Sequence, residues 1–203
     1  ASAGQYQIKI TGQYNGLRID YNTTQKNKLI AVNAWGNVGF TSFERAFYGC
    51  SNLVSLPSGS ITGAEDVESF NRCFAYCTSL TTIPTDLFKY TVNVTSFTYC
   101  FYYCTSLTAI PLDLFRYCVN VTDFYACFNY CRNLALPTSI FNLQALQAKQ
   151  PDMAYCFRAS SSVYSPTGTV QPIWNYITIT AGNECFRNCT ALTNYSSIPT
   201  LWK

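Results

Sequence analysis

Eleven cysteines and no histidine limit the chemistry that this 203-residue chain can perform. Ten of them fall into two columns that recur at a nearly constant spacing: Cys73, Cys100, Cys127, Cys156 and Cys185, and then Cys50, Cys77, Cys104, Cys131 and Cys189. Cys118 stands alone. The pattern is open to three interpretations: small buried apolar residues, a disulfide framework, or zinc ligands.

Burial in the core is the favoured interpretation, because Ala46 and Ser160 occupy column positions without disturbing the register. Stacked columns about 5 Å apart would allow disulfides, but an odd count of eleven cannot be fully paired. Zinc would lack a histidine or a second closely spaced pair to complete its ligands. A nucleophilic thiol would lack a histidine base. We predict no metal and no cofactor.

Two carboxylates, Asp86 and Asp113, lie one repeat apart, as do Lys89 and Arg116. A carboxylate pair can bind calcium or perform acid–base catalysis. The spacing instead favours i, i+3 ion pairs on a solvated turn. A glycosidase needs two carboxylates about 5–9.5 Å apart, and only a cleft between two of Asp86, Asp113 and Asp123 would supply them. We predict no catalytic residues and no enzymatic activity.

Tyrosines supply the candidate ligand-binding surface. Tyr76, Tyr103 and Tyr130 each follow a core phenylalanine by two residues, and Tyr99, Tyr102 and Tyr125 add to this column. Exposed tyrosines bind partners well because they are rigid and amphipathic. A stacked ladder that only shields neighbouring repeats is the alternative. Ser55, Thr82 and Ala109 are outward positions on the predicted strands and form a second, neutral face. The candidate binding residues from both faces are Tyr76, Tyr99, Tyr102, Tyr103, Tyr130 and Thr82.

A repeat of 27 residues positions all of these side chains. Its copies read FYGCSNLVSLP from Phe47, FAYCTSLTTIP from Phe74, FYYCTSLTAIP from Phe101 and FNYCRNLALP from Phe128, with weaker copies from Phe157 and Phe186. A fixed period of this length is typical of a solenoid. Within a copy, Phe97, Cys100, Phe101 and Cys104 have the spacing of one helix face. A short strand that ends at Pro111 follows.

The two ends of the chain depart from the repeat. Alternating apolar residues from Gln5 to Ile19, with Asn15-Gly16 as the turn, predict a β-hairpin. We therefore expect an N-terminal β cap over residues 1–27 and a solenoid of about six to seven coils over 28–203, irregular at 138–182. The irregular part contains a helix-prone segment from Asn142. Trp202 is placed to cap the core.

Composition excludes several classes of partner. Charged residues make up 11% of the chain, and the net charge is +3. The lysines and arginines form no run, so we predict no nucleic-acid binding. No apolar stretch approaches the roughly 18 residues that a membrane-spanning helix needs, so we predict no membrane insertion in this chain.

Units of the form FxxCxxFxxCxSLxxIPxxLF resemble the BspA-like leucine-rich repeats of bacterial surface proteins. The spacing here is one residue tighter, since Phe74, Phe101 and Phe128 directly follow a cysteine. The resemblance covers about residues 28–203. It implies a right-handed α/β leucine-rich-repeat solenoid, with short parallel strands on one side and short helices on the other. It also implies export by bacteria or their phages, a role in adhesion, and no catalytic residues.

Together these features predict a non-enzymatic binding or adhesion module. Its partner would be a host or bacterial surface protein or glycan, recognised through the repeat face. The alternative is a structural spacer in a phage tail or a larger multidomain surface assembly. Under either prediction the chain is secreted, and lies outside the cell or on the surface of a bacterium after export.

Overall fold

The computed structural model describes residues 16–19, 25–36, 39–159, 165–178 and 182–203. This part contains one α-helix, α1 (Leu143–Lys149), and two short parallel strands, β1 (Ala135–Leu136) and β2 (Thr167–Gly168). It also contains short 3-10 helices at Lys26–Lys28, Ile173–Asn175, Tyr195–Ser197 and Thr200–Trp202. Turns, bends and isolated bridges make up the remainder.

The prediction of an α/β leucine-rich-repeat solenoid, with a strand and a helix in each unit, is wrong. The segments expected to be helices are turns, and α1 is the single α-helix of the described residues. Most of the expected strands are isolated parallel bridges, such as Ala31 with Ser55 and Ala109 with Ala135. Each bridge joins one copy of the sequence to the next, so the 27-residue period persists as a stack of turn-rich coils.

Each coil contains a segment that we call a turn arc; the six arcs are 43–49, 70–76, 97–103, 124–130, 153–159 and 182–188. Backbone N–H groups within an arc alternate between two kinds of partner. In the third arc, Cys100 N–H donates to the Phe97 carbonyl within the arc at 2.9 Å. Phe97 N–H instead donates to the Asp123 carbonyl, directly before the next arc, at 2.8 Å, and Tyr99 N–H donates to the Tyr125 carbonyl within that arc at 2.9 Å. An α-helix is excluded because every second donor leaves the segment.

Positive φ angles show why the sequence pattern looked helical. Tyr99 and Tyr103 have φ values of 54° and 60°, and each is the third residue of a four-residue turn, the position that has positive φ in type II turns. Two consecutive turns of this kind bury their first and last residues, here Phe97, Cys100, Phe101 and Cys104, which are three, one and three positions apart. Phe101 and Cys104 are fully buried, as predicted, but a helix and a double turn produce the same buried pattern.

Phenylalanine rings stack along the axis of the coils and form the core. One column contains Phe43, Phe70, Phe97 and Phe124, with ring centroids 5.2 to 5.6 Å apart. Further columns run from Phe47 to Phe186 and from Phe88 to Phe141. Burying one such ring contributes about 1.5–3 kcal/mol. Trp202 is fully buried and stacks on Phe186 at 6.3 Å, which confirms the predicted cap.

All eleven cysteines are buried free thiols, which confirms their predicted place in the core. In the second column the thiols of Cys77, Cys104, Cys131 and Cys189 also donate a hydrogen bond to the carbonyl of a core phenylalanine in the preceding coil. Cys104 donates to Phe74 at 3.2 Å, and Cys131 donates to Phe101 at 3.1 Å. Cysteine suits this position because it is small and apolar yet carries a weak donor.

The irregular region contains the predicted helix. It also contains a buried side chain that accepts hydrogen bonds from backbone N–H groups of the coil before it. The Asn142 side chain accepts from Ala145 N–H and caps α1, which confirms the helix-prone segment. The buried Gln171 amide oxygen accepts from the N–H groups of Ile140 and Phe141 at 3.0 and 3.1 Å. In the other coils, such N–H groups donate to backbone carbonyls of the neighbouring coil. Here the amide oxygen of one side chain accepts both bonds.

Most of the predicted N-terminal hairpin, including its turn residue Asn15, lies outside the described residues. The described remainder runs beside the first turn arc. Gly16 forms a parallel bridge with Ser42, and Ile19 N–H donates to the Ala46 carbonyl at 3.0 Å. These residues therefore contact the first arc with the same offset of 26 to 27 residues that separates later coils.

Candidate binding surface

Side chains that lie between the buried positions of the turn arcs form one outer surface. Eight tyrosines on this surface make a continuous series of ring contacts, and we call them the tyrosine face: Tyr48, Tyr76, Tyr99, Tyr102, Tyr103, Tyr125, Tyr130 and Tyr155. Stacking of the coils brings these residues together, because each arc presents its outward positions beside those of the next.

Tyr102 lies at the centre of the tyrosine face. Its ring centroid is 5.2 Å from that of Tyr76 and 5.3 Å from that of Tyr99, with interplanar angles of 75° and 86°. Such edge-to-face pairs are the favoured geometry of aromatic rings and contribute about 0.5–1.5 kcal/mol each beyond burial. Tyr103 and Tyr130 also contact Tyr102, at 6.0 and 5.8 Å. The face is therefore an ordered cluster.

Five of the six predicted binding residues belong to this cluster: Tyr76, Tyr99, Tyr102, Tyr103 and Tyr130. Thr82 is exposed on the segment after Leu80, outside the turn arcs, and no described contact joins it to the tyrosines. Sequence reasoning missed Tyr48 and Tyr155. Tyr48 occupies the arc position of Tyr102, and Tyr155 occupies that of Tyr99. An alignment of the outward positions in every copy could have identified both.

Five of the eight tyrosines have positive φ angles, and three of these five share one position in their arcs. Tyr76, Tyr103 and Tyr130 have φ values of 62°, 60° and 63°, whereas the equivalent residue of the first arc is Gly49, at 71°. A left-handed conformation costs a bulky L-residue about 1–2 kcal/mol, and glycine avoids that cost. The chain therefore places tyrosine in three arcs where glycine would relieve the backbone.

Cations lie over the rings along the tyrosine face. The Arg45 guanidinium is 4.4 Å from the Tyr48 ring centroid, and that of Arg72 is 4.8 Å from Tyr99. Similar contacts join Arg132 to Tyr103, Arg158 to Tyr155 and Lys26 to Tyr48. Each contact attracts the cation to the electron-rich face of the ring, so positive charge lies beside the tyrosines.

Partial burial makes the central phenols harder to ionise. Burial, together with the neighbouring phenols Tyr76 and Tyr99, raises the pKa of Tyr102 and Tyr125 to about 12. A phenol whose pKa is raised keeps its proton in neutral solution and can both donate and accept a hydrogen bond. The face thus presents uncharged hydroxyl groups between cations.

The predicted ion pairs on the return turns do not form. Lys89 and Arg116 lie over the rings of Tyr90 and Tyr117, at 5.7 and 5.8 Å from the centroids. No ion pair within the described ranges joins them to Asp86 or Asp113. The cations prefer the adjacent rings because the side chains of an i, i+3 pair on these turns are not held together as they are on a helix.

Asp86 and Asp113 both line a surface groove of about 270 Å³ between the two return turns. They lie on adjacent turns and are exposed, and the Asp113 carboxylate accepts a hydrogen bond from the Ser139 hydroxyl. Asp123 is elsewhere, where its carboxylate accepts from Tyr125 N–H at 2.8 Å. A glycosidase acid needs a carboxyl that burial keeps protonated, and neither exposed group has that environment.

The cysteines form no reactive or metal-binding group. Burial raises the pKa of Cys73, Cys100 and Cys104 well above the ordinary thiol value, and neighbouring thiols raise it further. Because the thiolate is the nucleophile and the metal ligand, these thiols are inert in the folded chain. Across the described ranges, no three Cys, Asp or Glu side chains converge as metal ligands.

Four of the five Asn-x-Ser/Thr sequences are part of the stack of coils. The amide nitrogens of Asn93, Asn120, Asn188 and Asn194 donate to backbone carbonyls of the preceding coil at 2.9–3.3 Å. These asparagines therefore join neighbouring coils. Asn22 lies outside the described residues.

Comparison with known proteins leaves the chain without an assigned family. No protein-family model, curated protein or solved structure matches it. The resemblance to BspA-like repeats therefore rests on the motif alone. In the described ranges, no helix has the length and apolar character needed to cross a bilayer.

Proposed function

We propose that this chain is a non-enzymatic binding module that recognises a surface protein or glycan through the tyrosine face. The observation that supports this proposal most directly is the backbone conformation of three tyrosines. In three arcs tyrosine has a φ of 60–63° at the position that glycine occupies in the first arc. Backbone strain of this kind concentrates at functional sites. The last arc has Asn188 at the same position with a φ of 63°, so the turn sets the angle, and the chain keeps tyrosine there in three arcs.

The composition of the face supports the same function. Tyrosine and arginine are the residues most enriched at binding hot spots, together with tryptophan. Here eight tyrosines lie in contact with one another, and arginines lie over their rings. Tyr76 exposes 37% of its surface. Rigid, preorganised side chains lose little conformational entropy when they bind a partner.

A combined array of glycans and extracellular-matrix proteins tests this function. The triple variant Y76G/Y103G/Y130G removes three rings and leaves the backbone in a conformation that glycine adopts. We expect the wild-type chain to bind a subset of the array and the triple variant to lose about tenfold or more in affinity.

The control variant Y90S/Y117S removes two exposed tyrosines from the return turns, away from the tyrosine face. It should bind as the wild type does. Equal losses in both variants would show that the tyrosine face is not the site. If the wild-type chain binds nothing on the array, a structural spacer becomes the better proposal.

A further inference from the structure

Positive charge is concentrated on the tyrosine face. Among the described residues that lie on the turn arcs or over their tyrosine rings, the cations are Lys26, Arg45, Arg72, Arg132, Arg158 and Arg187. The acidic residues on the same arcs are Glu44 and Glu184, and Asp123 and Asp152 directly precede the fourth and fifth arcs, beside Tyr125. Six cations against four acids give this face a charge of +2, out of +3 for the whole chain. The rest of the surface is therefore close to neutral.

Two arginines are placed to pair with carboxylates of a partner. Arg72 lies over Tyr99, and its guanidinium donates to the Asn71 side chain at 3.1 Å, which fixes its orientation. Arg158 lies over Tyr155 and is 3.9 Å from Glu184, a carboxylate that already accepts two bonds from Arg187 at 2.8 and 2.9 Å. The Arg158 side chain remains 29% exposed.

The ring geometry disfavours a sugar as the main ligand. Sugars stack on open aromatic faces, whereas three pairs of tyrosines on this surface meet edge to face. The pairs Tyr76–Tyr102, Tyr99–Tyr102 and Tyr125–Tyr155 have interplanar angles of 75°, 86° and 85°. Cations lie over Tyr99 and Tyr155. Ring edges and neutral hydroxyls remain, and these suit hydrogen bonds to a polypeptide.

We infer that the tyrosine face binds an acidic, extended segment of a protein partner. Its carboxylates would pair with Arg72 and Arg158, and its backbone would cross the hydroxyls of the central tyrosines. Arg72 and Arg158 lie three coils apart, a distance of at least about 15 Å. An extended chain covers that distance in about five residues. This inference rests on the proposed function and specifies the partner of the same surface.

A peptide array tests the inference with a defined probe. Synthetic peptides of about 12 residues, graded in net charge, are presented beside a glycan array. We expect the chain to select acidic peptides with two acidic residues about five positions apart. Affinity should fall as the ionic strength rises from about 0.05 to about 0.3 M, because salt screens exposed charges.

Two matched variants separate specific pairing from general charge attraction. R72Q/R158Q should lose about tenfold or more in affinity for the selected peptides. K89Q/R116Q removes the same charge from the return turns and should bind as the wild type does. Unchanged thermal unfolding of both variants shows that each remains folded.

Other outcomes are informative in different ways. Equal losses in both variants, or binding that ignores peptide charge, would overturn the inference. Glycan binding that Y76G/Y103G/Y130G abolishes, without peptide binding, would retain the binding function and reject the acidic partner. If neither peptides nor glycans bind, both the inference and the proposed function fail.

Discussion

The Cys104 thiol donates a hydrogen bond to the Phe74 carbonyl oxygen, 3.2 Å away in the preceding coil. The same relationship joins Cys77 to Phe47 and Cys131 to Phe101. That carbonyl also accepts the Cys77 N–H of its own coil, at 3.1 Å. The thiol column therefore links adjacent coils at a point where the backbone alone would leave the second lone pair of the carbonyl unused.

Removing one thiol from this column should weaken the stack. We expect C104A to lower the free energy of unfolding by about 1–2 kcal/mol, through lost packing of sulfur and one lost weak hydrogen bond. Urea denaturation measures the change. S58A, at an exposed turn residue, is the control and should stay within about 0.5 kcal/mol of the wild type. A fully stable C104A variant would contradict the role of the thiol.

The thiols should be hidden from reagents until the chain unfolds. At neutral pH and without reductant, we expect the native protein to show almost no reaction with a disulfide-exchange reagent, because all its cysteines are buried. Denatured, unreduced protein should show all eleven thiols. A count near one would mean that the columns are oxidised to disulfides, contrary to the structure.

Stability should fall at alkaline pH. Burial raises the pKa of Cys118, Cys131 and Cys189 from 9.0 to about 12, so the unfolded chain loses these protons before the folded one does. The folded state then binds more protons, and the free energy of unfolding decreases as pH rises through that range. Each thiol contributes about 1.4 kcal/mol per pH unit. The contribution is complete below pH 9.0, the thiols' unperturbed value.

Urea denaturation in the presence of reductant, repeated from pH 8 to pH 11, measures this dependence. The variant C118S/C131S/C189S lacks three of the titrating groups and serves as the comparison. Its stability should fall less steeply with pH than that of the wild type. A stability profile that stays flat in the wild type across this range would show that the thiols are not buried.

Strain at Tyr103 should reverse the usual preference between alanine and glycine. Tyr103 has a φ of 60°, where glycine is unstrained and alanine is not. We expect Y103G to be more stable than Y103A by about 1 kcal/mol. Tyr102, on the same arc without a positive φ, is the control, and there the alanine variant should be the more stable one. If the alanine variant were the more stable one at both positions, Tyr103 would not be strained, and the binding proposal would lose that support.

The buried columns were predictable because burial follows from residue type at a fixed spacing. Phe101 and Cys104 recur in register in successive copies, and each is fully buried. Five of the six candidate binding residues followed from the same alignment, since outward positions lie between the inward ones. Thr82 was placed on a strand face that the described residues form only as scattered bridges.

The sequence alone determined the period, the columns that stack in the core, and the end cap at Trp202. The tertiary structure decided that the arcs are turns, because half of their N–H groups bond to residues about 26 positions away. No local pattern contains those partners. The tyrosine face has the same origin: Tyr48 and Tyr76 are 28 positions apart in the chain, and only the stacking of coils brings their rings to 5.5 Å.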